Sequence, residues 1–315
     1  MGQIRNDWTL EQIRDIYNKP LLELIFKASI IHNKNHKQGE IKASRLISVK
    51  TGNCAENCSY CAQSAQYNTK VESHKMLSVS EVKSLAEKAL NDGVNRVCLS
   101  ASWRNIPDGK EFDNVLSMIN QAKKLGLEVC LTMGKLNEKH AKRLSEAGIT
   151  AYNHNIDTSE AFYDKVITSR TFKERVDTIN MLIDNDIKPC CGGILGMGES
   201  EEDRISMLHT LATLKKHPYT VPLNILVPVE GTPFEDKKIL DNMEMVRMIA
   251  ATRIVLPHTN ISLAAGRREM SEEAQALCFL AGANSVFLGE KLLTTQNSSP
   301  ERDLKMFDKL GLKLI

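Results

Sequence analysis

A short β-prone run followed by a helical one recurs eight times along this chain. That alternation restricts the fold more than any other feature. The strand-like runs are RLISVKTG (45–52), RVCLSAS (96–102), EVCLTMG (128–134), AYNHNID (151–157), IKPCCGGILG (187–196), VPLNILVPV (221–229), NISLAAG (260–266) and SVFLGE (285–290). Between them lie segments such as SEVKSLAEKALNDG and FDNVLSMINQAKKLG. Apolar residues recur there every three or four positions, as a helix that packs one face requires. NDG, KLG and EAG end several of these segments, with glycine where a helix terminus wants positive φ. Eight strand–helix units in about 250 residues predict an α/β fold, a parallel (β/α)8 TIM-type barrel. An open doubly wound sheet is the alternative, but no phosphate-binding glycine fingerprint supports it. Residues 1–40 read as an N-terminal helical extension interrupted at Pro20, and 41–315 as the barrel domain.

Strand parity then says what the barrel contains. Alternate residues of a strand face opposite sides. In RVCLS, Val97 and Leu99 oppose Arg96, Cys98 and Ser100; in EVCLT, Val129 and Leu131 oppose Glu128, Cys130 and Thr132. Asn153, Asn155 and Asp157 share one side of YNHNID. The apolar set suits the outer helices, so the polar set faces the lumen. Ordinary barrel lumens hold branched apolar side chains. Arginine, cysteine, asparagine and aspartate there are costly unless they bind something.

The first strand runs into KTGNCAENCSYCAQS, where Cys54, Cys58 and Cys61 are spaced C-x3-C-x2-C. That loop falls at the C-terminal, catalytic face of such a barrel. A structural zinc knuckle with a distant fourth ligand is one reading. The other is a 4Fe–4S cube held at three corners, with one iron left open, since an open position marks a catalytic metal. Bulk composition fits either. The 315 residues are 42% hydrophobic and 25% charged, with 41 basic against 39 acidic side chains and a net charge of +2. This balance is no footprint for nucleic acid or an anionic membrane. No apolar run is long enough to span a bilayer, and MGQIRNDWTLEQ lacks a signal-peptide core, so a cytoplasmic address is expected. There, eight cysteines read as metal ligands or redox groups rather than disulfides.

The cysteine spacing, with Tyr60 before the last cysteine, resembles the radical S-adenosylmethionine (SAM) enzymes. The segments KTGNCAENCSYCAQS, YNHNIDTS, TSRTFKERVDT, GGILGMGE, PLNILVPVEGTP and CFLAGANSVFLGEKLLTT narrow the resemblance to the biotin synthase family. The resemblance implies that Cys54, Cys58 and Cys61 hold a 4Fe–4S cluster whose open iron chelates SAM. One-electron cleavage then gives a 5′-deoxyadenosyl radical, which takes hydrogen from dethiobiotin, and sulfur bridges the two carbons to form biotin. Tyr60, Asn153, Asn155, Asp157 and Arg175 match SAM-contacting positions. Asn155 and Asn224 match contacts to the ureido ring, and Thr294 and Thr295 match contacts to the substrate carboxylate. Cys98, Cys130 and Cys190 match the ligands of an auxiliary iron–sulfur cluster that gives up sulfur. A flavodoxin or ferredoxin electron donor and a homodimer are implied too.

Bland readings stand beside these. Arg175 could be a surface charge, and Thr294 and Thr295 could cap the last helix. Cys278 reads as core. One position departs from the family pattern: Ser262 stands where an arginine ligand of a 2Fe–2S auxiliary cluster is expected, while Arg267 and Arg268 fall past the strand. Cys191, beside Cys190, is inert core by parity, or a fourth thiolate if Gly192 and Gly193 bulge the strand. An auxiliary cluster larger than 2Fe–2S is therefore the expectation, with 2Fe–2S as the alternative. Other radical SAM enzymes, such as methylornithine-forming or hydrogenase-maturation relatives, and a zinc-stabilised binding protein are the competing classes.

Overall fold

A computed structural model of the chain describes residues 4–315. Met1–Gln3, part of the expected extension, lie outside the described residues. The extension is two helices, α1 (Leu10–Tyr17) and α2 (Leu21–Asn35), and Pro20 stands immediately before the second. Twelve strands follow. They are β1 (Glu40–Lys50), β2 (Arg96–Ala101), β3 (Glu128–Thr132), β4 (Ala151–Asn153), β5 (Lys188–Cys190), β6 (Gly193–Leu195), β7 (Thr220–Ile225), β8 (Asn260–Leu263), β9 (Ser285–Phe287), β10 (Lys291–Leu292), β11 (Thr295–Gln296) and β12 (Lys313–Leu314). The interleaved helices are α3 (Val79–Asn91), α4 (Lys110–Lys124), α5 (Glu138–Glu146), α6 (Glu160–Tyr163), α7 (Phe172–Asp184), α8 (Glu201–Ala212), α9 (Asn242–Val255), α10 (Glu272–Leu280) and α11 (Pro300–Leu310).

Strands β1 to β9 pair in parallel in chain order, with β5 and β6 sharing one position, and β9 returns to pair with β1. The sheet closes into the expected (β/α)8 barrel. Local sequence sets where its helices begin. Thr9 with Gln12, Ser78 with Glu81 and Thr171 with Glu174 form capping boxes, each satisfying two otherwise unpaired backbone N–H groups. Val97, Leu99, Val129 and Leu131 are buried in the ring between strands and helices. Cys278 lies in that ring, fully buried, as its helical context predicted.

Two expected strands come out differently. The fourth ends at Asn153, so Asn155 and Asp157 lie in the loop beyond it, and Asp157 has φ +68°. The fifth is broken at Cys191–Gly192. The cause is a close approach: Asp157 bridges to Gly193, its N–H donates to the Gly192 carbonyl, and its carbonyl accepts from Ile194 N–H. A Cβ on Gly192 would lie 2.0 Å from the Pro222 carbonyl oxygen, so only glycine lets these backbones pass.

Candidate active site

The loop after β1 turns sharply at Gly52 and Asn53, both at positive φ. Its backbone then closes on itself: Cys54 N–H donates to the Gln63 carbonyl at 2.9 Å, and Cys61 N–H to the Cys58 carbonyl at 2.8 Å. These bonds bring Cys54, Cys58 and Cys61 to the rim of a cavity of about 330 Å³ at the C-terminal end of the barrel. Burial pushes all three thiols up, Cys61 to about 11. Thiols of this kind bind as thiolates only when a cation compensates them. Among the described residues, no three His, Cys, Asp or Glu side chains converge on a single-ion site.

The opposite wall comes from β4 and the loop after it. Asp157 is 1% exposed. It accepts from Tyr60 Oη at 3.1 Å and pairs with Arg175 at 3.0 Å. Burial raises its carboxyl, while Arg175 and Tyr60 oppose the rise. Arg175 is itself buried, so the surface-charge reading fails. It donates to Tyr163 Oη at 2.7 Å and to the Asn155 carbonyl at 3.0 Å, and its Nη2 lies 4.0 Å from Cys58 Sγ. Asn155 Oδ1 accepts from Gly192 N–H at 3.1 Å. Asn153 Oδ1 and His154 Nε2 are buried without a partner. Orphaned polar atoms on a cavity wall mark where a polar ligand would sit.

Asn224 also lines the cavity, but its amide is largely spent on the fold. Its Nδ2 donates to the Gly193 carbonyl at 3.1 Å, and its Oδ1 accepts from Ala265 N–H at 3.0 Å. One N–H remains for a ligand. Thr294 and Thr295 lie on the cavity rim, at the antiparallel β10–β11 hairpin. They do not cap the last helix, because Ser299 caps α11.

Below the cavity, Cys98, Cys130 and Cys190 meet in the lumen around Ala151, with Leu46, Tyr219 and Phe287 packed on them. Leu46 and Phe287 also line the cavity, so they form the partition between the two compartments. The Cys190 and Cys98 thiols beside Cys130 favour its thiolate. Cys98 and Cys190 are pushed up by hydrogen bonding to Cys130 and by burial. Ser262 is buried at the same end of the lumen, in register with Ser285 and Pro222. Cys191 is not with the trio. It is fully buried in the outer core and burial pushes its thiol up to about 12. The glycines after it admit a neighbouring backbone rather than turning the thiol inward. Arg267 is far from free: it forms a buried ion pair with Asp303 and donates to the Phe287 carbonyl. Arg268 reaches outward to Gln296.

Sequence reasoning passed over Glu56, His154 and Arg170. Arg170 is 4% exposed, pairs with Glu56 at 2.6 Å and lines the cavity. Glu56 sits inside the cysteine motif, a position that could have drawn notice to it. Arg170 carried no local signal.

A closed (β/α)8 barrel with three cysteines on the first β–α loop defines the radical SAM class, and residues 48–211 match the Radical SAM superfamily. Residues 222–313 match the Biotin and Thiamin Synthesis associated domain. The biotin synthase of Christiangramia forsetii is 51% identical over 98% of this chain and 85% of its own length. That of Cytophaga hutchinsonii is 49% identical over 99% and 93%, and that of Synechococcus elongatus 48% over 100% and 98%. This chain belongs to the biotin synthase family. Among solved structures, methylornithine synthase superposes with a TM-score of 0.81 at 18% identity, over 98% of this chain and 94% of that one. A maturase of the [FeFe]-hydrogenase superposes at 0.83 and 17%, over 97% and 72%. At those identities the likeness is one of fold.

Proposed function

We propose that this chain inserts one sulfur atom into dethiobiotin to form biotin, with Cys98, Cys130 and Cys190 holding the cluster that gives up the sulfur. The observation that carries the reading is the stacking of two cysteine sites along one lumen, with a cavity open at the C-terminal end running from one toward the other. Enzymes of this family use a 4Fe–4S cluster and SAM. When bound, that pair supplies a carbon radical able to take hydrogen from unactivated C–H bonds, which acid–base groups cannot open.

The chain's own residues position and shield this chemistry. Cys54, Cys58 and Cys61 would hold three corners of the cube. Asp157, fixed by Tyr60 and Arg175, would accept from hydroxyl groups of the SAM ribose. The unpartnered Asn153 amide oxygen and His154 ring nitrogen would meet polar groups of the ligand. The free N–H of Asn224 and the Asn155 side chain would take the ureido ring, and Thr294 and Thr295 the carboxylate. Leu46 and Phe287 keep water from the partition between substrate and sulfur source. The auxiliary cluster would have more than two irons, because Ser262 offers neither the bulk nor the charge of an arginine; Cys191, packed elsewhere, adds nothing to that reading. The same proposal takes residues 1–40 as an extension and 41–315 as one barrel domain, with a flavodoxin or ferredoxin donor, a homodimer and a cytoplasmic address. Among the described residues no helix is long and apolar enough to cross a membrane.

The test is anaerobic turnover of the reconstituted chain with SAM, reductant and dethiobiotin. Wild type should form biotin, and Cys130→Ala should still cleave SAM yet form none. Biotin at wild-type yield from Cys130→Ala would overturn the assignment. Iron analysis with Mössbauer spectra should find about eight irons per chain, as two four-iron clusters require; about six, with a 2Fe–2S signature, would return the auxiliary site to the commoner pattern.

A further inference from the structure

The base of the barrel carries a layer of charge that the chemistry above does not use. Lys42, Arg96, Glu128 and Lys188 each stand two residues before a lumen residue, respectively Ser44, Cys98, Cys130 and Cys190. Side chains on a strand repeat every two residues, so these four face the lumen one layer below the cysteines. A barrel ordinarily fills its lumen with branched apolar side chains. Here a single aromatic ring, Tyr219, is packed against the trio from below.

Three cations surround that ring. Lys188 Nζ lies 4.7 Å from its centre, the Arg96 guanidinium carbon 5.1 Å and Lys42 Nζ 5.6 Å. Arg96 also donates to Tyr219 Oη at 2.9 Å and pairs with Glu128. Glu128 thus offsets Arg96, and the two lysines are left in excess. Among the described residues neither lysine forms an ion pair. Tyr219 is only partly buried and Lys188 is exposed, so the ring stands between the cysteines and solvent. The cation–π contact to the exposed Lys188 is weak, so the hydrogen bond from the buried Arg96 is the main tie that an outward swing of the ring must break.

We propose that this layer is a port for a small sulfur-bearing anion, hydrosulfide, with Tyr219 as its stopper. The port rests on the reading that the trio holds the sulfur-giving cluster. A site that gives up sulfur works again only if it is resupplied, and on the cavity side the trio is covered by Leu46 and Phe287, where the proposed substrate sits. Unpaired cations at a narrow mouth with low-dielectric walls raise the local concentration of anions and speed their arrival. A strand-end lysine pair with no carboxylate partner serves that end better than it serves stability.

The experiment uses the full chain freed of its clusters under anaerobic conditions. Cys98, Cys130 and Cys190 are alkylated with iodoacetate or with neutral iodoacetamide, and each site is followed by peptide mass spectrometry. Both reagents attack the same thiolate, so their rate ratio cancels the thiolate fraction and reports the charge of the path. Reversing Lys42→Glu and Lys188→Glu together should lower the iodoacetate-to-iodoacetamide ratio at the trio roughly three- to tenfold. The ratio at Cys54, Cys58 and Cys61 should not move. Tyr219→Ala should speed both reagents at the trio alone. If the charge-reversed chain misfolds, Lys42→Gln with Lys188→Gln gives the same shift at smaller size. After iron and sulfide are restored, the charge-reversed chain should rebuild auxiliary iron more slowly and the SAM cluster at the wild-type rate. An unchanged ratio in the lysine variants, or unchanged rates in Tyr219→Ala, would overturn the port. Failure of wild type to take up auxiliary iron at all would instead sink the reading beneath it.

Discussion

Replacing Gly192 with alanine should damage stability and turnover together, through one contact. The new Cβ would lie 2.0 Å from the Pro222 carbonyl oxygen and 2.9 Å from its carbon, where ordinary contact begins at 3.4 Å. The obstacle is backbone, so β7 and the β5–β6 segment must part by more than an ångström. Overpacking of this kind costs about 1–3 kcal/mol, and the stiffer unfolded chain returns about 0.4–1 kcal/mol. The net loss is about 1–2 kcal/mol, visible as a lower denaturant midpoint. Activity should fall further. The glycine pair is the anchor for three site residues: Gly192 N–H holds Asn155 at 3.1 Å, its carbonyl holds Asp157 N–H at 3.2 Å, and the Gly193 carbonyl holds Asn224 at 3.1 Å. None of these bonds survives a further ångström. A displacement of that size at a reacting site costs roughly 100-fold in rate. Gly193→Ala supplies the control. Its Cβ would meet the movable sulfur of Met207 at 2.2 Å as well as the Asp157 carbonyl at 2.7 Å. A second change, Met207→Ala, should therefore recover part of its stability and none of Gly192→Ala's. A Gly192→Ala chain with wild-type midpoint and biotin yield would refute the close-approach argument.

Arg267→Met should leave the Asp303 carboxylate buried and unpaired, costing about 3–5 kcal/mol, and the paired Asp303→Leu should recover most of it. An unmoved denaturant midpoint in Arg267→Met would show that the pair is no strut. The histidines beside Arg253 give a pH dependence. Burial and then Arg253 lower His36 from 6.5 to about 4 and His32 to about 3. The unfolded chain therefore takes up these protons first, so their contribution is full above about pH 6.5 and is lost as pH falls toward 4. His36→Gln should flatten the fall in melting temperature across that window, and equal slopes in the two chains would contradict the assignment.

Much of this protein is written in one dimension. The eight-fold alternation of strand and helix dictates the barrel, because parallel strands joined by packed helices have few ways to bury both faces. Period-two parity alone brings Cys98, Cys130 and Cys190 into the lumen. Their apolar neighbours fix each strand's orientation, and a one-residue slip would expose the core. The three-cysteine loop follows from spacing, since its backbone closes over a dozen residues. The rest needed residues far apart in the chain to meet. Arg267 finds Asp303, Arg170 finds Glu56, and three cations converge on Tyr219 from three strands. No local pattern specifies such partners. Cys191 shows the limit most clearly. Parity and the glycine pair allowed it either face; in the fold it packs in the outer core, while the backbone of Pro222 from the next strand lies against Gly192 beside it.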